Sequence, residues 1–330
     1  PIAAMLGGAR CNSAGRRKSI LPAELRGEFL MTIQTIGIVS TGDMGHAVGG
    51  TLREGGFTVL TALDGRSERS RGLAAKAGIE DAADLASLIE RVDLLMSVMP
   101  PSAAVTFATE VAALMTSSGA TPLFADCNAI APSTSRTIAG LIEAAGADYL
   151  DGGIIGAPPG RSAATRLYVS GERSERLNVL ARPDMVVRTL DGGVGAASAI
   201  KMCYAALNKG AMTLEALVLT GAEQLGLSAE LHQELSESQT QVLTRMEGRV
   251  PWLAADAERW SGEMLEIAKT FAEVGLTPLI HEGAADMFQL LAESSLASEP
   301  RETADRSRTL EDAIAAFSAS LSARARDAAD

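Results

Sequence analysis

One lysine stands out for the company it keeps. The stretch Gly193-Val194-Gly195-Ala196-Ala197-Ser198-Ala199-Ile200-Lys201-Met202-Cys203-Tyr204-Ala205-Ala206-Leu207-Asn208 holds a single charge among small and apolar residues. An unpaired ammonium is costly to bury, so its pKa falls and it becomes a candidate proton donor or acceptor. A lysine that reaches back to solvent is the plainer alternative. The neighbours at i−4, i+3 and i+4, namely Ala197, Tyr204 and Ala205, are not those of a wet face, so Lys201 is read as the candidate acid or base. Asn208 returns to nearly the same side of a helix two turns on and is expected to share the site. Tyr204 offers a hydroxyl near that face, and a core tyrosine reads equally well. Lys209 reads as an exposed helix residue.

A second group of residues has the spacing to hold a phosphate. Ser40-Thr41-Gly42-Asp43-Met44-Gly45 lies between the apolar run TIGIVS and a helix pattern from His46 to Glu54. A G-x-G-x-x-G turn uses its glycines for a tight turn, close approach of a pyrophosphate and helix packing. Here Gly42 serves approach and Gly45 packing, while Ser40 takes the tight-turn position as the smallest substitute. An ordinary βα turn is the alternative, but the helix N-terminus that follows is a ready anion site. Ser40, Thr41, Gly42, Asp43, Met44 and Gly45 are therefore expected to touch a dinucleotide. After the next apolar run, FTVLTAL, come Asp64-Gly65-Arg66-Ser67-Glu68-Arg69. An acid there accepts from the ribose 2′-hydroxyl of NAD, whereas an arginine with a neighbouring hydroxyl holds the 2′-phosphate of NADP. Arg66, Ser67 and Arg69 together favour NADP(H), and Asp64 leaves NAD(H) open.

These residues need a scaffold, and the chain supplies apolar runs alternating with helix patterns. TIGIVS, FTVLTAL, VDLLMSVM at 92–99 and TPLFADC at 121–127 read as strands, with a helix from about Ser67 to Ala77 among the intervening segments. Alternation of this kind predicts a parallel sheet covered on both faces. Beyond Gly192 the pattern is helical throughout, and Ala196–Leu225 predicts one helix of about 30 residues. The expected fold is an α/β Rossmann domain over 31–192 followed by an all-α domain over 193–330. Residues 1–30 are expected to be a disordered or non-native extension, because the first clean strand pattern follows Met31. The stretch from Ala297 onwards reads as an exposed helix and a frayed tail.

A chain of 330 residues is too long for one small core and fits two domains. The net charge of −12 argues against nucleic acid or an anionic lipid surface as partners. No apolar run approaches the roughly 18 residues that span a bilayer. Cys127 and Cys203 lie in apolar stretches and read as buried, reduced thiols, which fits a cytoplasmic location, and Cys11 makes the count odd. The three histidines lack partners at ligand spacing, so no metal is expected.

With these pieces in order, the chain resembles the β-hydroxyacid dehydrogenase family, which includes 3-hydroxyisobutyrate and 6-phosphogluconate dehydrogenases. The likeness runs from Thr32 to about Ala297. It rests on GIVSTGDMG, on MPP at 99–101, and on DCNAIAPST at 126–134, where the family has D-x-S-T-x-x-P. It rests also on DGGIIGAPP at 151–159, where the family has D-A-P-V-S-G-G, and on the glycine-containing approach to Lys201. The resemblance implies hydride transfer between NADP(H) and a small hydroxy acid or related alcohol, with Lys201 handling the hydroxyl proton. It implies that Asn128 and Gly156 face substrate, that Met99 and Pro100 lie near the cofactor, and that the protein is a homodimer acting on a small molecule.

The departures are informative. Asn128 stands where the family has serine, Ile155-Gly156-Ala157 replaces its S-G-G, and Ala205 replaces the asparagine usually found four residues after the lysine. Together with KMCYAALNKG and RWSGEM at 259–264, they resemble a branch with a C-terminal domain of unknown function. Ile155 offers no hydrogen bond and disfavours a highly charged sugar phosphate. Arg259, Trp260, Glu263, Met264 and His281 form a dense cluster that reads as packing between helices, with a substrate contact from Trp260 or His281 as the alternative. Two other functions stay open: imine reduction on the same scaffold, and an NADP(H)-binding sensor without turnover.

Overall fold

A computed structural model describes residues 32–161, 164–299 and 304–327, so the expectation for residues 1–30 lies outside the described residues. From Ile33 onwards the chain packs as one compact unit. The first half alternates as the sequence predicts: β1 (Thr35–Val39), α1 (Asp43–Glu54), β2 (Thr58–Thr61), α2 (Glu68–Ala77), β3 (Glu80–Asp81), α3 (Leu85–Arg91), β4 (Leu94–Ser97), α4 (Pro101–Ser118), β5 (Leu123–Asp126) and α5 (Pro132–Ala144). β6 (Tyr149–Ile155), β7 (Thr165–Ser170) and β8 (Met185–Thr189) follow. Among the described residues these strands form one sheet in the order β3-β2-β1-β4-β5-β6-β7-β8, parallel except for the β6–β7 pair. β4 and β5 are buried along their whole length, as strands covered on both faces must be. Strand order reverses between β1 and β4, and the crevice at that point is where open α/β sheets bind ligands.

The sequence reading stops at the fourth apolar run and misses β6 to β8. The reason lies in β6 itself: YLDGGII carries an aspartate and two glycines yet is buried at every position. Both glycines are required by close packing. A Cβ on Gly152 would lie 2.7 Å from the Asp126 carbonyl, and one on Gly153 would lie 2.6 Å from the Ala197 carbonyl and 3.0 Å from Lys201 Cβ. The strand is thus stripped of side chains where the following helix crosses it.

That helix, α6 (Ala196–Gln224), runs 29 residues, close to the expected length. Its N-terminus is secured by Asp151 of β6. One carboxylate oxygen accepts from Ser135 Oγ at 2.9 Å and Ser198 Oγ at 2.5 Å. The other accepts from Ser170 Oγ at 3.0 Å and from the backbone N–H groups of Gly195 at 3.0 Å and Ser198 at 2.9 Å. Asp151 is fully buried, and these donors together with the helix dipole offset its desolvation.

Helices α7 (Ser228–Ser238), α8 (Thr240–Arg249), α9 (Ala254–Glu273), α10 (Leu279–Ala292) and α11 (Leu310–Asp327) complete the all-helical part. They share a core that includes Met202, Met264, Phe288 and Phe317. Two sequence readings need correction. α11 is no exposed appendage, since Leu310, Ala313, Ile314 and Phe317 at helical spacing are buried in that core. Cys203 is exposed, because it sits on the outer flank of α6, whereas Cys127 is buried. The helical part is fastened to the sheet part by Glu266 of α9, which accepts from Ala131 N at 2.6 Å and Thr134 Oγ1 at 2.7 Å and so caps α5 from outside. No helix among the described residues is long and apolar enough to cross a membrane.

Replacing Asp151 with alanine strands five donors at the junction of β6, α5 and α6. Asp151→Ala is expected to lower the free energy of unfolding by about 3–5 kcal/mol in urea titrations, and a loss below about 1 kcal/mol would contradict the role assigned here.

Candidate functional site

The crevice opens into a cleft of about 660 Å³ between the sheet edge and the helical part. One wall is the glycine turn: Ser40, Gly42, Asp43, Met44 and Gly45 all line it. Gly45 is dictated by packing, since a Cβ there would lie 1.9 Å from the Ser40 carbonyl oxygen. Gly42 is different: a Cβ on it would meet nothing within 4 Å, so the missing side chain leaves room on the cleft side. Gly42 is also the N-cap of α1 and no side chain caps that helix, which leaves its first-turn amides and positive dipole end for an anion. A dinucleotide pyrophosphate fits both observations. Thr41 departs from the expectation, because it is buried and its hydroxyl donates to Ser70 O at 3.0 Å, tying the turn to α2.

Arg66 and Ser67 are exposed where β2 hands over to α2; Ser67 is the N-cap of α2, its hydroxyl accepting from Ser70 N. Neither lines the cleft, but Arg69 of the same segment does, and it pairs with Asp43 at 2.6 Å.

The second wall is the loop after β4. Met99 and Pro100 line the cleft, and α4 begins at once with Pro101, whose ring suits a first helical turn. Asn128 fixes this loop. Its Oδ1 accepts from Met99 N at 2.6 Å, and its Nδ2 donates to Ser97 Oγ at 2.8 Å and Asp126 Oδ2 at 2.9 Å. Asn128 thus lines the cleft as expected, while its amide also ties the ends of β4 and β5 together. Burial pushes the Asp126 carboxyl up to about 7, with the nearby Asp151 carboxylate adding to the rise.

Lys201 rises from α6 into the same cleft and donates from Nζ to Ile154 O at 2.6 Å. Just beyond, Gly156 lines the cleft with φ at +110°, a conformation that glycine alone adopts readily. Burial lowers the Lys201 pKa to about 8, and the charges of Lys209 and Arg259 act in the same direction, against Glu263. The expectation that Lys209 is an exposed helix residue is wrong. It lines the cleft, pairs with Glu263 of α9 and lies 5.3 Å from the centre of the Trp260 ring. Arg259 completes the group by donating to Glu263 at 3.2 Å and Asp256 at 2.9 Å.

Lys209 was readable as a site residue from its place two helical turns past Lys201, had RWSGEM been taken as its counter-charge. Of that dense cluster, Arg259, Trp260 and Glu263 line the cleft, whereas Met264 is in the core and His281 stacks on Phe271. Tyr204 and Asn208 are not brought into the cleft: Tyr204 is 44% exposed, and Asn208 Nδ2 donates back to Tyr204 O at 3.0 Å. At about 100° per residue they turn to one side of Lys201, and the cleft follows α6 on the other side, towards Lys209. No group of His, Cys, Asp and Glu among the described residues has the arrangement of a metal site.

Residues 35–182 match the family described as the NAD binding domain of 6-phosphogluconate dehydrogenase. Residues 222–291 match a domain of unknown function, DUF1932. An uncharacterized 28.5 kDa protein of Methanothermus fervidus is 25% identical over 236 residues, which is 71% of this chain and 90% of that protein. One similar solved structure, of a conserved protein of unknown function reported to resemble 3-hydroxyacid dehydrogenases, is 25% identical. It aligns over 78% of this chain and 96% of its own, with a TM-score of 0.56. The 3-hydroxyisobutyrate dehydrogenase of Mycobacterium tuberculosis shares the fold at 19% identity, over 88% of this chain and 99% of its own, with a TM-score of 0.58. The glycine turn thus belongs to a nicotinamide-dinucleotide-binding domain.

Because Lys209 places a second positive charge beside Lys201, its removal relieves the repulsion. In Lys209→Met the Lys201 pKa is expected to rise above its value of about 8. The shift is read from the pH dependence of amine modification at Lys201, located by peptide mass spectrometry, and an unchanged or lower midpoint would refute the coupling.

Proposed function

This chain belongs to the β-hydroxyacid dehydrogenase-like proteins that join an NAD-binding domain of the 6-phosphogluconate dehydrogenase type to a C-terminal DUF1932 domain, and from that premise we propose that it transfers hydride between NADP(H) and a hydroxy acid or related alcohol. Lys201 is the general acid and base in this reading. The observation that carries it is a lysine in the dinucleotide cleft, held by a backbone carbonyl and tuned to a pKa of about 8.

A bound nicotinamide supplies the hydride acceptor in oxidation and the hydride donor in reduction. The remaining work falls to this chain. In oxidation, neutral Lys201 Nζ accepts the proton of the substrate hydroxyl as hydride leaves the carbinol carbon, which yields a carbonyl product and an ammonium. In reduction the ammonium returns that proton to the developing alkoxide. A pKa near 8 keeps both forms populated around neutral to mildly alkaline pH, where general acid–base work is most effective. The Ile154 carbonyl orients Nζ, and Asn128 holds the Met99–Pro100 loop against the cleft. Gly156 gives a substrate close access to the backbone beyond Ile154, while Trp260 and Arg259 restrict water from the helical side.

Cofactor choice rests on Arg66, exposed at the end of β2, as donor to a 2′-phosphate, with the exposed Ser67 hydroxyl, shared with Ser70 in the α2 cap, beside it. A homodimer rests on α6, whose outer flank exposes Ile200, Tyr204, Leu207, Leu214, Leu217 and Val218. A stripe of that size on a 29-residue helix calls for a partner, and a second copy of this chain supplies it by symmetry. The free thiol of Cys203 on that flank suits a reducing cytoplasm.

Lys201→Met is expected to lower kcat for a hydroxy acid or alcohol about 10²–10⁴-fold while NADPH affinity stays within about twofold. Wild-type oxidation should rise with pH through about 8 as Lys201 loses its proton. Faster turnover of a cyclic imine than of any hydroxy acid would replace this reading with imine reduction, and tight NADPH binding without turnover of any probe would replace it with a sensor. In sedimentation the protein is expected as a dimer that Leu214→Glu shifts towards monomer; a monomeric wild type would overturn the interface.

A further inference from the structure

A second cavity of about 410 Å³ lies beside the cleft on the helical side and shares Asp43, Asp256, Trp260 and Glu299 with it. Its apolar wall is Met212 of α6, Trp252 and Leu253 from the turn before α9, Trp260, and Leu296 after α10. Met212 stands eleven residues beyond Lys201, about 16 Å along the axis of α6. Any molecule that reaches both is therefore elongated. The guanidinium groups of Arg306 and Arg308 lie 5.5 Å and 5.6 Å from the Trp252 ring and hold that indole in the wall.

The charges of this cavity are mostly matched. Asp43 pairs with Arg69, Asp256 with Arg259, and Glu299 with Arg308. Two arginines on the wall are exceptions: Arg249, in the last turn of α8, is half-buried and Arg161 is exposed, and among the described residues neither guanidinium has a hydrogen bond or ion pair. A pocket of two indoles and aliphatic side chains, with the half-buried Arg249 guanidinium uncommitted on its wall and the exposed Arg161 beside it, fits an aromatic group that ends in a carboxylate. The rings gain contact area, and the guanidinium gains the planar acceptor it lacks.

We propose that this cavity binds the far end of the substrate, an arylalkyl group bearing a carboxylate that Arg249 receives, while the carbinol end lies at Lys201. The inference rests on the hydride-transfer reading for the carbinol end alone; the cavity's ligand class stands on its own residues. It narrows the substrate from a small hydroxy acid to an extended one.

Trp252 and Trp260 are the only two tryptophans of the chain, so its intrinsic emission reports on this wall directly. The full-length protein saturated with NADP⁺ is titrated with 4-phenylbutyrate, with the neutral 4-phenylbutan-1-ol and with butyrate, and the emission change is followed. 4-Phenylbutyrate is expected to bind about tenfold more tightly than either of the others. Arg249→Gln should erase its advantage over the alcohol, Arg249→Lys should restore part of it, and Met212→Phe should weaken both aryl ligands without altering NADP⁺ affinity. Thermal melting confirms that each variant is folded. Equal binding of acid and alcohol, butyrate binding as tightly as 4-phenylbutyrate, or indifference to both Arg249→Gln and Met212→Phe would each overturn the proposal. Preserved 4-phenylbutyrate selectivity in a protein that turns over no substrate would uphold the cavity and remove only the hydride-transfer reading.

Discussion

The structure depends on one buried carboxylate. Asp151 sits beneath the first turn of α6 and accepts five hydrogen bonds from α5, β7 and α6. A buried charge survives only when its partners replace water, and here the replacement is complete enough to serve as the joint between the two halves of the fold. Gly153, two residues along the same strand, lets the helix backbone come within contact of the sheet. Lys201 then falls one turn above the joint, opposite the Ile154 carbonyl that receives its Nζ. The position of the reactive amine is thus set by backbone and by a charge it never touches.

The other side of the site is set from α9. Glu266 and Lys269 dock that helix on the start of α5, and Arg259, Trp260 and Glu263, one to two turns earlier, project over the cleft. The low pKa of Lys201 follows from this arrangement rather than from burial alone. Two further cations share its surroundings, and the one carboxylate close to all three is already divided between Lys209 and Arg259.

The first half of the fold was legible because its signals are local. A glycine turn between an apolar run and a helix, and four apolar runs in alternation, place β1, β2, β4 and β5 and the crevice between them. Lys201 was legible for a similar reason, since a lone charge on an apolar helix is visible without knowing what it packs against. β6 was not, because its glycines and aspartate answer to α6 some 45 residues later and mimic a loop when read alone. The bracing duty of Asn128 and the inward placement of Lys209 were harder to read, for the same physical reason. An amide that borders a cleft shows no sign in sequence that it also braces a loop, and the carboxylate that draws Lys209 inwards lies 54 residues away. Tyr204 and Asn208 show the limit of helical periodicity, which gives the angle between side chains but not which flank a neighbouring domain will cover.

The capping of α5 by Glu266 also gives the crevice a polarity. Five helices, α1 to α5, follow parallel strands at this end of the sheet, and their dipoles would otherwise make competing phosphate sites. At α2 and α3 the N-cap side chains of Ser67 and Asp84 already accept from the amides of Ser70 and Ser87. At α5 an internal carboxylate already occupies the positive end. At α4 the first helical residue is Pro101, which has no N–H to offer. Of these helices α1 is the one with neither a side-chain cap nor a proline in its first turn. A molecule that carries a diphosphate therefore meets an asymmetric receptor, in which α1 offers the open positive end. A phosphate set against α5 would meet a carboxylate, so the fold gives its crevice a direction by silencing the other helix ends.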